Sequence, residues 1–292
     1  MNHLKIFLSV ITIFLFSTQV QGAWRSVLPK IVPPVLAAGF ATKEYFDQKK
    51  MQKFDNHEAA YKACLFTIEL FNGAAVSQDD KEAFATFQQK FAEHKKKLSD
   101  PAIDVQILPT DMGMSSPGYF VKVAPHDYVI HLEWLHLDFL KKHFDASMLH
   151  ELGHIEEHDD EKNSRELIIQ KGLYGGVAGS IALTPHLRLR NRLMLLPIAL
   201  LGTKEVTTFV RNKLNQQREY RADLFAARHS SGDQTISMLE AASLLLDKII
   251  KKEELDKWID VVRYNDLFGT HPSCEKRIAA VKKYMEEQKK GM

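Results

Sequence analysis

The chain is poor in cysteine, in net charge and in long apolar runs. Its 292 residues include only two cysteines, which excludes a disulfide-dense scaffold and a four-cysteine zinc site. Lys and Arg total 39 against 37 Asp and Glu, a formal net charge of +2. That balance excludes a chain built mainly to coat nucleic acid, and no nucleic-acid partner is expected. The sequence carries no internal repeat and no low-complexity tract. Apolar residues nonetheless make up 45% and charged residues 26%, a globular balance with enough length to bury a core.

The apolar run Ile6–Phe16 is too short to span a bilayer. It follows Lys5 and precedes Val20-Gln21-Gly22, which reads as a secretory signal peptide, residues 1–22, cut after Gly22. The expected location is therefore outside the cytoplasm, periplasmic or secreted. The alternative is an uncleaved anchor, because Trp24 and the apolar stretch 31–40 extend the possible membrane contact. Residues 23–99 read as a linker carrying Pro29, Pro33 and Pro34, then helices over 41–72 and 79–98. Phe84, Phe87 and Phe91 fall on one face of the second helix. Cys64 and Cys274 would both be exported; the compartment allows a bridge, and the sequence does not fix one.

Residues 100–292 have a different texture. Short β-type runs at 103–108, 119–124 and 127–134 predict a small sheet, joined by a Gly- and Ser-rich loop at 109–118. A helix is expected from about Asp145 to Lys171, with Asp145 and Ser147 able to cap it. Two apolar stretches, 173–185 and 193–202, are separated by Arg188, Arg190 and Arg192 and interrupted by Pro185 and Pro197. Neither can span a bilayer alone. They read as a hairpin that packs over a site or makes peripheral membrane contact through 173–202. Helices follow over 203–228, 234–252 and 272–289.

Among thirteen histidines, two stand in His150-Glu151-Leu152-Gly153-His154. Four residues apart on a helix, both imidazoles reach one ion, and zinc suits such ligands while leaving a position for water. Glu151, beside the first ligand, is placed to take a proton from that water. Composition alone yields about 0.04 such matches in a chain of this length, so the motif needs context. Leu149, Leu152 and Ile155 supply it, making an apolar helix that can lie buried beneath a site. His131, His136, His143 and His158 read as surface or packing residues.

A third ligand is less plain. Asp160 could bind, but no glycine turns the chain back toward the motif. Glu166 is open on residue type alone, and a ligand at position 173 fails because that residue is Leu. Glu219 and Asp223 stand four apart on a predicted helix, where Glu219 could complete the coordination and Asp223 accept a hydrogen bond from a ligating His. Their bland reading is a solvated face paired with Arg218 and Arg221.

HELGH, the later Glu-x-x-x-Asp, and Thr270-His271-Pro272 with Arg277 together resemble the gluzincin endopeptidases of metallopeptidase family forty-eight. That family includes the HtpX-type heat-shock proteases, CAAX prenyl proteases and Oma-type proteases. The resemblance covers roughly residues 100–290 and implies an α+β fold, mainly helical, with a small β-sheet before the HExxH helix. It implies one Zn2+ per chain held by His150, His154 and Glu219, with Glu151 as general base and Asp223 behind the ligands. It also implies that His271 and Arg277 contact substrate or stabilise transition-state charge. The sequence departs from the membrane-embedded members between the two motif helices, where its apolar pieces are short.

The resulting expectation is a zinc metalloendopeptidase over 100–292 acting on protein or peptide substrates of the envelope or exported space, with protein quality control as its setting by family analogy. The rival reading is a zinc-binding chaperone or assembly factor of the same fold, weakly active or inactive. Strand 127–134 is also a candidate to pair with an extended substrate.

Overall fold

The computed structural model describes residues 77–110, 117–184, 189–252 and 271–291. The signal segment, the helix expected over 41–72, Cys64 and Thr270 lie outside the described residues. The described chain falls into two compact units, Leu167–Val206 in one and the remaining residues in the other.

In the larger unit, helix α1 (Gln78–Lys95) starts where Ser77 Oγ accepts the Asp80 N–H at 3.2 Å. Asp79 and Asp80 in the first turn, and His94 and Lys95 in the last, oppose the helix dipole. Phe84, Phe87 and Phe91 are buried, as their spacing predicts, and Phe87 stacks on Phe144 with centroids 4.4 Å apart. Helix α1 therefore shares one core with Ile107, Ile130 and Leu149, so a boundary at residue 99 passes through common packing.

The sheet contains β1 (Asp104–Thr110), β2 (Gly118–Lys122) and β3 (Asp127–Glu133), in spatial order β1-β3-β2. Strand β3 pairs parallel with β1, Ile107 opposite Ile130, and antiparallel with β2, Phe120 opposite Ile130. The central strand is thus β3. Both its edges carry ladder hydrogen bonds, so substrate cannot add to it as the sequence reading suggested. The hydropathy alternation along 127–134 shows the two faces but not the strand order, which the crossover from β1 sets. From Tyr128 onward β3 is buried on both faces.

A 3-10 turn (Trp134–His136) leads into α2 (Leu137–Glu156), which starts about two turns earlier than predicted and is bent at His143 (φ −124°, ψ 17°). Asp145 does not cap it: its carboxylate pairs with His94 at 2.8 Å and Lys90 at 3.2 Å, tying α2 to α1. Leu137, Leu140, Phe144, Met148, Leu152 and Ile155 recur at helical spacing and are buried.

Helix α2 ends at Glu156 with Glu157 as its C-cap, and His158 takes a left-handed conformation (φ 52°). That single residue turns the chain into α3 (Asp159–Leu183), where one unbroken helix had been expected to Lys171. Helix α4 (Leu189–His229) is long and contains Pro197. Helices α5 (Gly232–Lys252) and α6 (Cys274–Lys290) follow. Leu239 of α5 and Val281 of α6 form a second small core with Ala146 and Ala227. Cys274, at the start of α6, is half-buried.

Candidate metal centre

The second half of α2 carries His150 and His154 on one face. Their Nε2 atoms are 3.2 Å apart, and their rings meet edge-on at 88°. Glu219 comes from α4, with Oε2 3.6 Å from His150 Nε2 and Oε1 3.6 Å from His154 Nε2. One donor atom from each residue lies within 4.8 Å of the others, and all three residues are buried. The two helices meet at Gly153, where a Cβ would stand 2.8 Å from Ala222 Cα. Only glycine lets the α2 motif approach α4 this closely, and Ala222 sits between Glu219 and Asp223.

Each imidazole is oriented from behind by a different carboxylate. His150 Nδ1 is 3.0 Å from Asp223 Oδ1, and His154 Nδ1 is 2.9 Å from Asp159 Oδ2. Each Nδ1–H donates to its carboxylate, which turns Nε2 toward the common point, the tautomer a metal ligand needs. Both aspartates are themselves clamped. Arg277 grips Asp223 with a fork, Nε to Oδ2 and Nη2 to Oδ1, both 2.7 Å, and its Nη1 is 3.3 Å from Glu219 Oε2. Arg218, also buried, lies 3.4 Å from Asp159 through Nε and pairs with Glu166.

The charge balance follows from these contacts. Burial works to raise the Glu219 carboxyl, but Arg277 and His271 outweigh it and hold it well below the usual carboxylate range. Burial likewise opposes ionisation of Asp223, and Arg277 and His150 overcome it. Glu151 behaves oppositely: burial pushes its carboxyl up, against the pull of His150 and His154. A carboxylate poised to exchange a proton therefore stands beside two that are locked as anions. The donor set, two imidazole nitrogens and one carboxylate with Nε2 atoms 3.2 Å apart, suits zinc, whose bonds to nitrogen of about 2.1 Å would subtend a near-tetrahedral angle there.

The sequence model of Peptidase family M48 matches residues 139–285, from the start of α2 into α6. The chain belongs to peptidase family M48. This is a family of zinc metallopeptidases, and the group His150, His154 and Glu219 is the place in this M48 chain that could hold the ion. Among solved structures, Ste24p from S. mikatae is similar at 16% identity and a TM-score of 0.49, covering 67% of this chain and 49% of that one. The alignment thus spans about half the length of Ste24p. No curated protein matches the chain.

In this M48 fold the residues singled out from sequence come together: His150, Glu151 and His154 on α2, Glu219 and Asp223 on α4, Arg277 on α6. His271, just before α6, places Nδ1 3.0 Å from Glu219 Oε1, with its side chain 59% exposed. Asp160 and Glu166 do not reach the centre. Asp160 lies 3.5 Å from Lys122 Nζ and 3.5 Å from the Tyr128 hydroxyl, and Glu166 pairs with Arg218.

Sequence reasoning missed Asp159 and Arg218. It sought a glycine to turn the chain after the motif, and His158 makes that turn without one, returning Asp159 rather than Asp160 to the site. The available signal was an acidic residue five positions after the second histidine.

Proposed function

We propose that this chain is a zinc-dependent endopeptidase that hydrolyses peptide bonds of exported or envelope proteins. The observation that carries the reading is the pairing of a preoriented His-His-Glu donor set with an adjacent carboxyl of raised proton affinity, Glu151. Bound at His150, His154 and Glu219, zinc supplies Lewis-acid polarisation. Glu151 takes the proton of the attacking water and returns it to the leaving amine, and its raised proton affinity favours the first of these transfers. Asp223 and Asp159 hold the two imidazoles in register. Arg277 is saturated by Asp223 and Glu219, so its part here is to fix the ligands rather than to meet substrate. His271, largely exposed and anchored by Glu219 at Nδ1, offers its Nε2–H to the developing oxyanion. Gly118 of β2 forms a wall beside Glu151, with a Cβ there standing 3.8 Å from Glu151 Cγ.

The export half of the reading is supported by the signal-like residues 1–22. The test is cleavage of casein, an unfolded protein, by the purified zinc-loaded chain beside Glu151→Gln. Hydrolysis by the wild type, lost in a variant that still binds zinc, is the expected result. Full activity in Glu151→Gln removes Glu151 as the base. No cleavage by either, with zinc bound, favours the chaperone reading.

A further inference from the structure

The smaller unit, Leu167–Val206, comprises the end of α3 and the start of α4, and nothing in the zinc chemistry uses it. Seven of the thirteen exposed large apolar side chains among the described residues lie in it. Met194, Ile198 and Leu201, at 64%, 65% and 60% exposure, recur at i, i+4 and i+7 on one face of α4. Ile169 and Leu173 are exposed on α3, and an apolar cleft of about 570 Å³ between the two helices, with Gly172, Gly176 and Ala199 in its wall, lies within the same unit. A soluble surface of this size seldom leaves so many large apolar groups in water without a use.

Charge identifies the occupant. From Leu167 to Lys204 the sequence holds no Asp or Glu, although 37 of the 292 residues are acidic. The same stretch holds Lys171, Arg188, Arg190, Arg192 and Lys204. Arg192 Nη2 donates to Thr184 O at 2.7 Å, linking the start of α4 to the residue after α3, and Arg188 and Arg190 lie in sequence between the two. No helix among the described residues is long and apolar enough to cross a membrane, and Pro197 lies inside α4 within this stretch.

We propose that the 167–206 hairpin docks on a bilayer surface rich in anionic lipid headgroups, lying in the interface with Met194, Ile198 and Leu201 among the acyl chains. A segment that joins an exposed apolar face to five Lys and Arg residues, with Glu205 at its end as its one carboxylate, is the composition such an interface selects, because each carboxylate carried toward it would be repelled. A face for a second copy of the chain needs no such exclusion of acidic residues. The proposal stands apart from the peptidase reading.

The test is sedimentation of the full-length, zinc-loaded chain with vesicles of phosphatidylglycerol and phosphatidylethanolamine, and with vesicles of phosphatidylcholine alone. The wild type should sediment with the anionic vesicles and be released as salt is raised from about 0.05 to 0.5 M. The variant M194Q/I198N/L201Q should bind at least about tenfold more weakly while keeping wild-type helix content and Tm. A second variant, R188Q/R190Q, leaves the apolar face intact and should lose the preference for anionic over neutral vesicles. Undiminished binding by the triple variant would assign the contact to another segment, such as residues 1–45, and overturn the proposal. So would salt-insensitive binding to neutral vesicles, or absence of vesicle binding, whether the chain stays monomeric or self-associates with concentration.

Discussion

Replacing Gly153 by Ala adds one methyl group where α2 meets α4. Its Cβ would stand 2.8 Å from Ala222 Cα, 3.0 Å from Phe225 Cβ and 3.2 Å from Ala222 O. Two of those atoms belong to the backbone and cannot rotate away, so restoring ordinary contact parts the helices by up to about 1 Å. Overpacking of this kind costs about 1–3 kcal/mol. Alanine's better helix propensity offsets about 1 kcal/mol. The net loss, up to about 2 kcal/mol, should lower Tm by up to about 6 °C. Because α2 carries His150 and His154 and α4 carries Glu219, the same movement opens the donor triangle. Zinc sites tolerate only about 0.2 Å, so affinity should fall at least about tenfold. Gly202→Ala is the internal control: on α4 a Cβ at Gly202 meets nothing within 4 Å, so only the propensity gain of up to about 1 kcal/mol remains. Thermal unfolding of chelator-treated protein, with zinc competition against a chelating dye, reads both effects. Gly153→Ala as stable as Gly202→Ala, with wild-type zinc affinity, would refute the argument that this contact positions the ligands.

Asp159→Asn removes the charge behind His154 and should weaken zinc binding about 10–100-fold, whereas Asp160→Asn, whose partners are Lys122 and Tyr128, should leave it unchanged. Equal dye-competition curves for the two variants would return Asp159 to a purely structural role. His131 is buried on β3 with Nδ1 unpartnered, and burial pulls its pKa down to about 4, below the unfolded 6.5. Between those values the unfolded chain holds the extra proton, so stability falls as pH drops from 6.5 toward about 4, by up to about 3 kcal/mol in all. In chelator-treated protein His131→Leu should remove that component from the pH dependence of urea unfolding, and an unchanged slope would place the titration elsewhere.

What the sequence made legible was whatever is local. The His150–His154 spacing needs only a helix, the buried face of α1 needs only Phe84, Phe87 and Phe91 at three and four, and both stand in the structure as periodicity predicts. Glu219 and Asp223 became candidates through their own spacing, and through the resemblance once HELGH had raised the question. What stayed hidden depends on single dihedrals or on strand order. The left-handed His158 costs a non-glycine residue about 1 kcal/mol, so no propensity rule places a turn there. Yet that turn is what brings Asp159 to His154 and buries Arg218 beneath it, converting a supposedly solvated arginine into part of the centre. The parallel pairing of β1 with β3 is equally invisible in hydropathy, and it removes the edge that substrate was expected to use. The two omissions share a cause. Each carboxylate behind a ligand comes from a different direction, Asp223 along α4 and Asp159 around the end of α2, so only the first obeys a helical period. A search confined to periodic spacing therefore finds one half of such a support and misses the other. Chains with this motif should be read for an acidic residue just past the end of the metal-binding helix as well as on the later one.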